Sequence, residues 1–126
     1  MDSLPQLGVG LGFREPFLSE LFLHRAEVDF LEITADHYFD ASPLKLQELD
    51  LLAAHFTLIP HGLNLSLGSA EGLDPVYFEK FVSLIHKINP PWWSEHIAFT
   101  RANGVEIGHL APVPFNRETL AVLTQN

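Results

Sequence analysis

Apolar positions fall in short runs that alternate with longer, helically spaced stretches along the whole chain. Near-continuous apolar runs at 7–11, 28–34, 57–61 and 92–97 are each bounded by turn formers or a charge, as buried strands are. Runs of this kind, apolar at successive positions, suit a parallel sheet covered on both faces.

Between the runs the apolar spacing turns helical. Residues 15–24 carry Phe17, Leu18, Leu21 and Phe22 on one face, with Pro16 fitting a first turn. Residues 43–55 place Leu44, Leu46, Leu49, Leu51 and Leu52 among polar neighbours, with Ser42 an N-cap before Pro43. Asp74-Pro75 opens a third helix, whose stripe is read as Val76, Phe78, Phe81, Val82 and Ile85, up to Lys87; Asn89-Pro90-Pro91 stops it. A fourth, 116–125, starts at Asn116 with Glu118 in its first turn and shows Leu120 and Leu123.

Four βα units joined by right-handed crossovers predict a parallel sheet, either an open doubly wound one or a curling barrel. Polar residues at strand C-terminal ends favour the barrel, because a (βα)₈ fold gathers its chemistry there. The expected fold class is therefore α/β: a partial (βα)₈ TIM barrel of about four βα units, a single N-terminal half-barrel domain over residues 1–126. Such a half exposes strand edges that invite a partner, so the expectation is a truncated or split barrel, closed by a second half or a second copy.

Composition narrows the chemistry. Seven Lys and Arg against sixteen Asp and Glu give a net charge of −9, which repels a phosphate backbone and argues against nucleic-acid binding. No apolar run approaches the roughly 20 residues of a bilayer span, and Met1 to Pro5 lack a secretory start. A cytoplasmic protein without membrane association is expected. With no cysteine, any metal must be held by His, Asp and Glu.

Three runs end in residues fit for that task. His61, followed by Gly62, closes the third; Ser94, Glu95 and His96 stand in the fourth. Adjacent parallel strands lie roughly 4.8 Å apart, so two strand-end imidazoles can meet one ion or a cluster. Alternation in the second run puts Phe30, Glu32 and Thr34 on one face; a carboxylate inside an apolar strand calls for a metal, a proton or a cation such as Arg14. Asp36, His37 and Tyr38 follow that run and are expected to line the same mouth or to form a solvated, capped loop. His24, His55 and His86 read as rings near helix C-termini. His109 falls in a loop after the fourth run, and Trp92 and Trp93 read as packing residues. The glycines of Gly8-Val9-Gly10-Leu11-Gly12 lack the dinucleotide order, and Leu65-Ser66-Leu67-Gly68-Ser69 lacks the spacing of a phosphate loop.

At these residues the sequence resembles the multinuclear non-heme iron-dependent oxidative enzymes, the family of the methanobactin biosynthesis oxidase, which share a xylose-isomerase-like barrel. The resemblance runs in order through residues 8–14, 29–32, 61–68, 93–96 and 110–115. It implies a barrel holding two or three iron ions that uses dioxygen to modify residues, often cysteines, of a ribosomally made precursor peptide presented with its recognition protein. His61 and His96 match family iron ligands, and further ligands are expected from the second half of such a barrel. Asp36-His37-Tyr38 stands where members usually carry Glu-Asn-Tyr, and Glu95 where aspartate is common. Two other functions fit the residues: a non-catalytic remnant or binding module with an incomplete site, and a divalent-metal isomerase or endonuclease of the wider barrel superfamily.

Overall fold

The computed structural model describes residues 3–126; of the N-terminal segment read for a targeting signal, Met1 and Asp2 lie outside the described residues. Three strands form a parallel sheet in the order β1 (Gly10–Gly12), β2 (Phe30–Thr34) and β3 (Thr57–His61). The first is shorter and later than the 7–11 run. Before it, the Asp29 carboxylate accepts the Val9 N–H at 2.8 Å, and the Phe30 ring lies over Gly10, where a Cβ would stand 2.4 Å from ring carbons. Glycine there lets β1 pass beneath an aromatic ring.

The first three helices of the chain cover one face of this sheet, and the last contributes nothing to that core. After a 3-10 turn at Glu15–Phe17 comes α1 (Leu18–Leu23), then α2 (Pro43–His55), α3 (Pro75–Ile88) and, at the end, α4 (Arg117–Gln125). The predicted caps form: Ser42 Oγ accepts from Lys45 N, Asp74 from Val76 N and Asn116 from Thr119 N. Asn89 ends α3 in the left-handed region, φ 49°. Leu31, Ile33 and Leu58 point into the helix layer and pack with Leu21, Leu49, Leu52, Phe81 and Leu84. On α3 the buried stripe differs from the expected one. Phe81 and Leu84 are buried, flanked by partly buried Tyr77, Ile85 and Ile88, whereas Val76 and Phe78 are exposed.

The fourth run corrects the reading of four βα units. Residues 92–97 make no strand; a single parallel rung joins Ser94 to His61, with Gly62 N donating to Ser94 O and Ser94 N to Pro60 O. Pro90 and Pro91 supply no N–H, and the His96 N–H is taken by the Glu95 carboxylate, so the ladder stops at one rung. Chain that was expected to lead on by loop to the last helix instead forms an antiparallel hairpin, β4 (Ala98–Ala102) and β5 (Val105–Pro112). Asn103 and Gly104 turn it with φ 52° and 69°, the two positive angles of a type I′ turn. The register breaks opposite Thr100: Phe99 pairs with Ala111 but Arg101 with Glu106. The architecture is thus a mixed α/β domain with a three-stranded parallel sheet and an appended hairpin. Among the described residues no helix is long and apolar enough to cross a membrane.

Candidate functional site

Strand polarity and register decide which side chains share the sheet face away from the helices. Thr34 pairs with His61 and Glu32 with Ile59, so Phe30, Glu32, Thr34, Ile59 and His61 belong to one face, as alternation predicts. His61 stands at the C-terminal end of β3, and the Ser94 rung brings residues 94–96 alongside it. His61 Nε2 lies 3.0 Å from His96 Nε2, and the two half-buried rings meet edge to face with centroids 4.6 Å apart. Behind His61, Nδ1 hydrogen bonds Ser94 Oγ at 2.9 Å. The two imidazoles expected to be neighbours are neighbours.

Glu95 ties the two histidine segments together. One carboxylate oxygen accepts the Leu65 N–H at 3.1 Å, the other the His96 N–H at 2.6 Å. Burial pushes its carboxyl above the ordinary range, against the pull of the His96 and Leu65 N–H groups and of the two imidazoles. Gly62 makes room for it, since a Cβ there would stand 2.6 Å from Glu95 Oε2.

Other expected site residues fare differently. Glu32 is exposed rather than buried, and no ion pair to it or from it to Arg14 exists among the described residues; Arg14 turns back to Phe13 O at 2.8 Å. The predicted cost of burying its charge therefore does not arise at this side chain, although Ile59, paired with it on the same face, is buried. Asp36 is half-buried and structurally employed: its carboxylate accepts the Tyr77 hydroxyl at 2.9 Å and the Leu63 N–H at 3.1 Å. His37 is exposed and lies on the solvated side of its turn, while the neighbouring Tyr38 is buried and donates to Glu48 at 3.1 Å. His109 lies within β5, not in a loop, and Trp93 packs edge-on against Phe81 while remaining half exposed. His55, at the C-terminal end of α2, hydrogen bonds Arg25 through Nδ1 at 3.0 Å. Tyr77 escaped the sequence reading altogether; the available signal was a hydroxyl-tipped ring inside an apolar helical stripe.

Among the described residues no three His, Asp or Glu side chains converge as a metal-holding group. The arrangement on this chain is a pair of imidazoles with their Nε2 atoms facing each other, backed by a hydroxyl and a carboxylate. Two nitrogens bound to one ion at about 2.1 Å in adjacent positions stand roughly 3 Å apart, so the pair fits two ligands of a larger set.

Comparison with known proteins gives a consistent picture. The family model described as RiPP precursor modification enzyme MbnB/TglH/ChrH matches residues 8–126. A UPF0276 protein of Vibrio vulnificus strain YJ016 is 32% identical over 122 residues, which cover 97% of this chain and 41% of that protein. A UPF0276 protein of Caulobacter vibrioides strain NA1000 is 31% identical over 127 residues, 100% of this chain and 45% of its own length. One from Streptomyces avermitilis is 35% identical, over 100% of this chain and 27% of its own. The chain spans less than half the length of these relatives.

Proposed function

The chain belongs to the MbnB/TglH/ChrH family of RiPP precursor modification enzymes, and from that premise we propose that it carries two iron ligands, His61 and His96, of an enzyme that oxidatively modifies a ribosomally made precursor peptide. The observation that supports this most is the 3.0 Å Nε2 to Nε2 contact at the C-terminal end of β3, the kind of position where barrel enzymes keep their chemistry. When bound, iron would supply electron transfer and the activation of dioxygen at an open coordination position.

The chain's own residues prepare that site. Ser94, bonded to His61 Nδ1, fixes the ring's orientation and leaves Nε2 facing inward. Glu95 holds the His96 backbone. Glu32 and Thr34 line the same face below and beside His61, a polar floor that a peptide could cross. In this reading the fold is the first part of a (βα)₈ barrel, the remaining ligands come from a second half-barrel or a second copy, and a recognition protein delivers the peptide.

A second reading, a binding module with an incomplete site, draws support from the lack of a three-ligand group among the described residues. The two separate in one experiment. Chain reconstituted anaerobically with ferrous iron, together with a second half-barrel from a relative, is given a candidate precursor peptide, and oxygen uptake and peptide mass are followed. Ferrous-dependent uptake with a mass change, abolished by His61→Ala, is the expected result. Peptide binding without oxygen uptake at any iron level favours the module.

A further inference from the structure

The segment after His61 leaves the sheet as a loop, yet three successive amides in it are captured by side chains. Leu63 N donates to Asp36 Oδ2 at 3.1 Å and to the Tyr77 hydroxyl at 3.2 Å; Asn64 N donates to the same hydroxyl at 3.0 Å; Leu65 N donates to Glu95 Oε2 at 3.1 Å. The three side chains come from three places: the turn after β2, the first turn of α3, and the segment that carries His96.

Hydrogen-bond accounting shows how specific the assembly is. A tyrosine hydroxyl has one proton and two lone pairs. Tyr77 gives its proton to Asp36 and accepts from Leu63 and Asn64, so nothing is left over. Burial first, and then the Asp36 carboxylate, hold its phenol well above the ordinary value, so it remains a donor across the working pH range. Its ring is fixed as well, stacked at 11° on Phe81 and edge-on to Phe39 at 5.2 Å.

We propose that Asp36, Tyr77 and Glu95 are positioning residues that clamp the backbone of residues 63–65 and thereby hold the His61 ring against His96. Its meaning for metal binding rests on the reading given above. The link between the rings is mechanical. Glu95 grips the loop after His61 with one oxygen and the His96 amide with the other, while Asp36 and Tyr77 anchor the loop to β2 and α3. Released from these anchors, the His61 end of β3 keeps the Ser94 rung and the bond from its ring to Ser94 Oγ, but the loop that follows it is no longer tied to β2, α3 or Glu95.

Tyr77→Phe tests this with least disturbance, because it keeps the ring and removes the hydroxyl. The full chain, labelled with ¹⁵N-histidine and free of metal, is examined by long-range imidazole NMR, then titrated with Co²⁺ alone. Tyr77→Phe is expected to shift the His61 and His96 ring nitrogens and to weaken Co²⁺ about 10- to 100-fold, the usual effect of losing a group behind a metal ligand. Leu84→Ala, a core truncation outside the clamp, is the control and should leave the ring nitrogens in place. Should Tyr77→Phe fail to fold, Asp36→Asn and Glu95→Gln carry the same test. Unchanged ring nitrogens in the clamp variants, or equal shifts in Leu84→Ala, overturn the proposal. If wild type and His61→Ala/His96→Ala bind Co²⁺ alike, the metal reading fails while the ring nitrogens still decide the clamp.

Discussion

Gly62 carries more of the site than a residue without a side chain suggests. A methyl group there would stand 2.6 Å from Glu95 Oε2 and 3.0 Å from Phe81 Cε2, so either the carboxylate or the core ring must move. Gly62→Ala is expected to cost about 1–3 kcal/mol, the range for overpacking, as read from urea unfolding. His24 offers a pH test. Its Nδ1 bonds Glu27 at 3.0 Å, and that hydrogen bond, reinforced by the carboxylate's charge, raises the imidazole above its usual value. A raised value means the stabilisation is present below about pH 6.5 and is lost as pH rises through the folded-state midpoint. NMR titration should place that midpoint above 6.5, and Glu27→Gln should bring it down; the fully exposed pair makes the effect on stability small. At this scale the proximity of His61 and His96 was legible, because equivalent positions on adjacent parallel segments bring two rings together. The burial of Glu32 was misjudged, since the side chain is exposed even though Ile59 beside it is not.

Among the elements, α2 and α3 were readable almost to the residue because each opens with a side-chain cap followed by proline, Ser42-Pro43 and Asp74-Pro75. Asp74→Ala should accordingly cost roughly 1 kcal/mol, measured as a shift in the thermal or urea midpoint, with the site geometry unaffected. The stripe of α3 was read correctly at Phe81 and Ile85 but not elsewhere: Val76 and Phe78 are as apolar as their neighbours, and only tertiary packing chooses Tyr77 and Leu84 instead. The fourth strand failed for a different reason. The run 92–97 has strand composition, but two prolines precede it and Glu95 intercepts the His96 amide. The hairpin that follows was announced by Asn103-Gly104, a strong local turn signal, and was passed over in favour of a simple loop.

Over the whole molecule, several large apolar groups lie uncovered. Leu11 at the outer strand is 52% exposed, and Ile97, Phe115 and Leu120 beside α4 are 68%, 110% and 63% exposed. Surfaces of this kind, with an unpaired strand edge, favour association. Light scattering is expected to show an apparent mass that grows with concentration, and Phe115→Ser with Leu120→Ser should reduce it. The α/β class and the order of the first three strands were legible from the alternation of runs.

The proposed function requires His61 and His96 to act as ligands to one centre. Equilibrium dialysis against ferrous iron under strictly anaerobic conditions, comparing wild type with His61→Ala/His96→Ala, tests that most directly. Iron retained by the wild type and lost from the double variant, with both chains folded, is the predicted result; equal iron in both, or none in either when a second half-barrel is present, contradicts it.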